Sequence, residues 1–304
     1  MIEQKVIQRR LTGRRPSAPM PFLARRSVRT ALQRAAIYVV VSVGAFVLLV
    51  PLLWLLSSSL KPTGRIFIFP PQWIPNPVEW RNYTRVWEAI PMLLFLRNTL
   101  TITFFSVLGT CLSASLVAFG FARVRFPYRD AIFLIVLSTM MIPGQVTLIP
   151  TYILFRILKW IDTFLPLIVP AYLGGGAFNI FLMRQFYMRL PLELDDAARI
   201  DGCSTFGIYQ RIVLPQSRPV LGVIAIFGFL GHWNDFFGPL IYLNSTEKYT
   251  LALGLNLLRT LRYGSTDWGL LMAASVLISV PCMLLYFVAQ RYFIQGIVFT
   301  GLKQ

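Results

Sequence analysis

A single histidine, His232, and three cysteines, Cys111, Cys203 and Cys282, leave this chain with little from which to build a metal centre or a Ser-His-Asp arrangement. The cysteines have no paired spacing of the disulfide or metal-binding kind and read as packing residues. No Gly-x-x-x-x-Gly-Lys-Ser/Thr run occurs, so there is no recognisable phosphate-cradling loop, and any ATP-driven work needs a partner. Charge is scarce too: Asp, Glu, Lys and Arg make up 13% of the residues, against roughly 25% in a soluble domain. The clustered acids or histidines that a membrane enzyme needs near one face are missing as well. Glu193, Asp195, Asp196 and Asp201 gather instead in one polar insert.

What is present is apolar: 56% of residues are hydrophobic and the mean hydropathy is +0.64, the make-up of a membrane protein. A hydrocarbon core about 30 Å thick needs roughly 20 apolar residues per helix. Six segments meet or approach that length: 35–56, 100–122, 131–148, 165–183, 220–243 and 270–289. None shows the strict alternation of barrel strands. The expected fold is therefore all-α, a polytopic protein with six transmembrane helices. The start of the chain is long and charged before its first apolar run and lacks a small-residue cleavage pattern, so the first span is expected to stay.

Lys5, Arg9, Arg10, Arg14, Arg15, Arg25, Arg26, Arg29 and Arg34 crowd the first 34 residues against the single acid Glu3, which places this tail in the cytoplasm. Read as a nucleic-acid arm, the tail would need a reason beyond orientation and anionic lipid, and nothing supplies one. No nucleic-acid partner is expected, whereas membrane lipids are. Six spans then put 123–129, 184–219 and 291–304 inside, with both termini cytoplasmic. Segment 61–97 falls outside, where Pro70, Pro71, Pro75 and Pro77 with Trp73, Trp80 and Trp87 read as turns and interfacial anchors.

The insert at 184–219 reads as helix, sharp turn, helix. Pro191 suits a first helical turn, and a helix from about there to Asp201 would align Leu194, Ala197 and Ala198 on one face. Gly202 can end it in a left-handed conformation, and Ser204 or Thr205 can cap the next helix. Phe206, Tyr209, Ile212 and Val213 follow at helical spacing, and Pro215 is expected to end that helix at Leu214. Asp201, at a helix C-terminus, calls for a cation, either Arg211 or Arg218 or one on a partner. Such an insert is a docking site or a loop folded back on the membrane surface.

The order Asp196-Ala197-Ala198, three residues, Gly202, nine residues, then Ile212-x-Leu214-Pro215 resembles the EAA loop of ABC-importer permeases. Four further segments resemble the maltose-type carbohydrate permeases. They are Ser58-Ser59-Leu60-Lys61-Pro62, Asn98-Thr99-Leu100 opening the second span, Ile142-Pro143-Gly144-Gln145-Val146 in the third, and Trp233-Asn234-Asp235-Phe236 in the fifth. Two features depart from the family pattern: Asp196 stands where Glu leads the motif, and Arg199 occupies a position that is often small. The resemblance implies a basic cytoplasmic tail, 1–34, and a permease domain, 35–304, with an extracytoplasmic loop 61–97 and a cytoplasmic coupling loop 184–219. It implies a bacterial or archaeal cytoplasmic-membrane protein that forms half of a pathway for a sugar or related polyol. Implied partners are a second permease subunit, two ATP-binding subunits that dock on Asp196, Ala197, Ala198, Asp201, Gly202, Ile212, Leu214 and Pro215, and an extracytoplasmic solute-binding protein. No cofactor is expected on this chain; ATP and Mg belong to the ATPase.

Polar residues inside spans are costly and often functional. Asn234, Asp235 and Trp233 are therefore candidates for the substrate pathway, although the same run suits the outer end of a short span in contact with the neighbouring permease. Pro143 and Gly144 can kink the third span, and Gly174-Gly175-Gly176 can bend the fourth or let helices approach closely. The C-terminal tail from Gln290 resembles one that reaches between the ATPases, with a solvated end as the alternative. The competing class is an ion-gradient-driven secondary transporter, which needs charged groups deep in several spans; only Asp235 qualifies.

Overall fold

The computed structural model describes residues 21–260 and 266–301; the basic residues before 21 and the side chains beyond 290 lie outside the described residues. The chain divides into two compact units, 1–55 and 56–304. In the first, helix α1 (Pro21–Ser59) carries the apolar stretch Thr30–Ser59 and continues into the second unit.

Among the described residues every regular element is helical. The second unit contains α2 (Arg81–Ala89), α3 (Met92–Arg123), α4 (Arg129–Ser138), α5 (Gly144–Ile157), α6 (Ala177–Tyr187), α7 (Glu193–Ile200), α8 (Thr205–Ile208), α9 (Arg218–Trp233), α10 (Phe237–Tyr242), α11 (Leu251–Thr260) and α12 (Trp268–Gly301). Four stretches are long and apolar enough to cross a membrane: Thr30–Ser59, Met92–Arg123, Leu165–Tyr187 and Trp268–Gln290. Two bent pairs bring the number to six if each is one span. They are Arg129–Met141 with Gly144–Ile157, at 97°, and Thr205–Gln216 with Arg218–Trp233, at 74°. The expected fifth span, 220–243, is not one helix, because it breaks after Trp233 and resumes at Phe237.

Helix α3 begins at Met92, not near Leu100, so segment 61–97 gives its last six residues to a span and carries a short helix of its own, α2. The exposed Arg97 marks no boundary, because its neighbours Phe95, Asn98 and Thr99 are buried while it faces outward. At roughly 1.5 Å per residue α3 is about 48 Å long, more than a hydrocarbon core of about 30 Å. It therefore reaches two separate apolar clusters. At its start Met92 and Phe95 join Val86, Trp233, Leu251 and Ala273; near its end Ala118, Phe119 and Phe121 join Met183, Tyr187, Ile208 and Val220.

Between the clusters α3 presents small and hydroxyl-bearing residues, which let backbones approach and bond across spans. Ser106 Oγ donates to the carbonyl of Leu167 (2.9 Å) and Ser113 Oγ to that of Ala171 (2.7 Å). Gly175 has a φ of +69°, and a Cβ there would lie 2.7 Å from the Thr110 carbonyl oxygen. Only glycine meets both demands.

The end of the unit at the start of α3 is tied by side chains from segments far apart in sequence. Asn98 donates to the carbonyls of Glu247 (2.8 Å) and Tyr249 (3.0 Å), Thr99 accepts from the Leu251 amide (2.9 Å), and Asn82 donates to the Ser59 and Lys61 carbonyls (3.0 Å each). Asp267 accepts from Thr63 and pairs with Arg85 at the start of α12. Burial raises its carboxyl pKa, but the bonds from Thr63, Arg85 and the Leu270 amide and the charge of Arg85 outweigh that and hold it below the ordinary range.

Asp162 performs a similar task between the segment after α5 and the segment after α10. It accepts from the Ser245 hydroxyl (2.5 Å), the Ser245 amide (2.9 Å), Lys248 (2.9 Å) and the Asn244 amide (3.0 Å). The Ser245 bonds first, then Lys248, hold its carboxyl well below the ordinary 3.8. A depressed folded pKa means that its contribution is complete above the unfolded value and is lost as pH falls through the lower folded one. The tie is therefore at full strength at neutral and mildly acidic pH. Asp162→Ala is expected to weaken the tie by about 1–2 kcal/mol, read as faster amide exchange in 243–248. Unchanged exchange there would show the segment to be held by its other contacts.

Candidate coupling site

The polar insert forms two short helices around a glycine turn. The first turn of α7 carries Glu193, Asp195 and Asp196, which complement the positive end of the helix dipole. Pro191 lies two residues ahead of α7 rather than inside its first turn. At the far end the Cys203 amide donates to the Ala198 carbonyl (2.9 Å) and the Gly202 amide to that of Arg199 (3.0 Å). With Gly202 at φ +81°, this is a Schellman ending. Ser204 Oγ then accepts from the Gly207 amide (3.1 Å) and caps α8.

Pro215 does not stop the second limb at Leu214. A π-helical turn, Tyr209–Val213, follows α8, and the helical path continues through Leu214–Gln216. The wider turn takes up one extra residue, and Pro215 lies within the helical path, where it donates no bond to the preceding turn. The limb ends at the buried Ser217, from which α9 departs.

Each limb buries one face on its own chain. Ile208, Tyr209 and Val213 enter the cluster near the end of α3, where the Tyr209 hydroxyl bonds that of Ser115 at 2.8 Å. From α7, Ala198 and Asp195 turn inward. Leu194, Ala197 and Ala198 therefore do not form one outward surface, since Ala198 is buried and the other two are exposed. The outward face carries Leu192, Leu194, Asp196, Ala197 and Phe206, with Ile200 87% exposed. Asp196 contacts Arg199 at 3.5 Å with both side chains in the open, a pair that contributes little. Neither Arg211 nor Arg218 pairs with Asp201 among the described residues.

The sequence reading gave no role to Asp195 or Arg123, which together fix the insert. Arg123, the last residue of α3, donates from Nη2 to the Tyr187 and Leu190 carbonyls, both at 2.8 Å. Its Nη1 lies 3.5 Å from Asp195 Oδ2, with the two side chains 2% and 5% exposed. Taking away one member of such a buried pair costs about 3 to 5 kcal/mol. The available signal was register: Asp195 stands three residues before Ala198, on the same face, and Arg123 closes an apolar run.

The candidate pathway residues do not converge. Trp233 is buried in the cluster at the start of α3, stacks on Phe229 and donates to the Ile278 carbonyl (3.1 Å), the contacts of a packing residue. Asp235 accepts from the Gly238 amide (3.0 Å) and caps α10. Asn234 is exposed, bonded only to the Leu230 carbonyl of its own turn (2.8 Å). Pro143 and Gly144 are exposed at the 97° bend between α4 and α5.

The sequence matches the family described as "Binding-protein-dependent transport system inner membrane component" over residues 112–298. It is 34% identical over 252 residues to a probable ABC transporter permease protein of Pyrococcus horikoshii, covering 82% of this chain and 91% of that one. It is 32% identical over 284 residues to the arabinooligosaccharides transport system permease protein AraQ of Bacillus subtilis, covering 92% and 100%. The sn-glycerol-3-phosphate transport system permease protein UgpE of Yersinia pestis is 29% identical over 267 residues, covering 86% and 94%. Among solved structures, a bacterial ABC transporter involved in import of the acidic polysaccharide alginate superposes with a TM-score of 0.76 at 21% identity, covering 86% of this chain and 97% of that one.

Two substitutions probe the turn itself. Gly202→Ala places a Cβ where nothing lies within 4 Å, so its cost is the left-handed backbone alone, about 1–2 kcal/mol. Ser204→Ala removes one cap, at about 1 kcal/mol. Both should quicken amide exchange across 201–208 and leave the cluster at the start of α3 unaffected; protection equal to wild type would mean that packing of the limbs, not the turn chemistry, sets the loop.

Proposed function

This chain belongs to the family of binding-protein-dependent transport system inner membrane components, and we propose that it forms half of a translocation pathway for an oligosaccharide or polyol, with segment 184–219 as the surface on which an ATPase docks. The observation that carries the docking reading is the split of α7, whose acid Asp195 and Ala198 are held inward while Ile200, Leu194 and Ala197 stand outward beside Phe206. An apolar patch of this kind at the end of a membrane protein, framed by Glu193, Asp196 and Asp201, fits a partner surface that offers an apolar cleft with basic residues at its rim.

The basic residues of the tail and of 123–129 place this patch and both termini in the cytoplasm. The second permease covers exposed apolar side chains of the bent α4–α5 pair, such as Met141, Val146 and Ile149, an extracytoplasmic binding protein delivers the solute, and two ATPases bind ATP with Mg. The carbohydrate assignment is supported by the names of the relatives. Asn234, and Pro143 and Gly144 at the other break, are the pathway candidates that remain, because Trp233 and Asp235 are engaged with the Ile278 carbonyl and the Gly238 amide.

Gentle solubilisation of the tagged chain should recover an ATP-binding subunit and a second permease. Ile200→Asp, at a fully outward position, should release the ATPase and abolish solute uptake while this chain and the second permease stay together. Retained ATPase and normal uptake in that variant would overturn the docking reading.

A further inference from the structure

We propose that Arg123 and Asp195 are the positioning pair through which displacement of the docking segment is passed to α3; the proposal rests on the docking reading above. The pair joins the two elements concerned. Arg123 ends α3, and Asp195 is on the inward face of α7, opposite the surface open to a partner. The same guanidinium holds the carbonyls of Tyr187 and Leu190, at and just beyond the end of α6. One side chain thus binds the ends of two spans to the docking helix.

The pair is also loosely made. Its single contact is 3.5 Å long, and both Arg123 Nε and Asp195 Oδ1 are buried without a hydrogen-bond partner among the described residues. Buried polar atoms left unused within one ion pair are uncommon in folded proteins, and their electrostatic energy falls as the groups approach in a medium of low dielectric. A closer arrangement of the same two groups would be favoured on both counts, and carrying α7 toward the end of α3 would supply it. Inward pressure on Leu194, Ala197 and Ile200 acts in that direction. The loose and close arrangements give the pair the discrete alternatives that transmission between sites requires, and α3, which enters both apolar clusters, carries the displacement across the membrane.

The test uses the complete transporter in lipid vesicles, with solute import and ATP hydrolysis measured together. Asp195→Asn keeps the shape and removes the charge; Asp195→Glu keeps the charge. With the ATPase bound and hydrolysing, solute imported per ATP hydrolysed is expected to fall about tenfold in Asp195→Asn and to stay near wild type in Asp195→Glu. A wild-type ratio in Asp195→Asn overturns the proposal. Should Asp195→Asn fail to assemble, spin labels at the exposed Glu193 and Arg125 of the otherwise native complex decide the matter. Their separation should shorten when ATP binds, and an unchanged or lengthened separation shows that α7 is not carried toward the end of α3, which also overturns it. Retention of the ATPase by Ile200→Asp defeats the docking reading instead, so the two failures are told apart.

Discussion

Because α3 is longer than the hydrocarbon core is thick, it meets both ends of the second unit, and α6, α9 and the 169–172 segment all pack along it. Its small and hydroxyl-bearing face lets Leu165–Tyr187 approach closely. Its first turns seat Asn98 and Thr99 against the 247–251 segment. Its last residue, Arg123, holds the polar insert. Apolar side chains alone gain nothing from leaving lipid for one another, so these polar contacts and close backbone approaches select one packing among many of similar apolar area.

The order of forces reverses in the insert. There the backbone is fixed locally, by a left-handed Gly202 and a Ser204 cap, and only then anchored by burial of Ile208, Tyr209 and Val213. Two short helices have few internal hydrogen bonds and would fray in isolation. The buried Arg123–Asp195 contact gives them a fixed seat while leaving their other face clear.

That division explains what could be read from the sequence. Spans follow from composition, and the turn at Gly202 from residues that satisfy their own backbone needs within a few positions. The π turn at Tyr209–Val213 could not be read, because Pro215 signals a stop under local rules and only packing against α3 favours the wider turn. Trp233 misled for a related reason: an indole in a polar run looks like a ligand contact until the Ile278 carbonyl, 45 residues away, supplies its partner. Arg123 and Asp195 are 72 positions apart in the sequence, and no periodicity within either helix pairs them.

The two interruptions, at Ile142-Pro143 and at Asn234 to Phe236, bear on where a solute would pass. Non-helical backbone at membrane depth is tolerated only where protein covers it or water reaches it. Both interruptions expose side chains on this chain, Met141 to Gly144 at one and Asn234 with Phe236 at the other. A lipid-facing position would leave the Asn234 amide group in hydrocarbon, at a cost of several kcal/mol. A neighbouring subunit or an aqueous cavity removes that cost. Asp235 engages one carboxylate oxygen with the Gly238 amide, which ties its side chain to the start of α10. An exposed amide at such a break therefore calls for a covered or hydrated position and not for lipid.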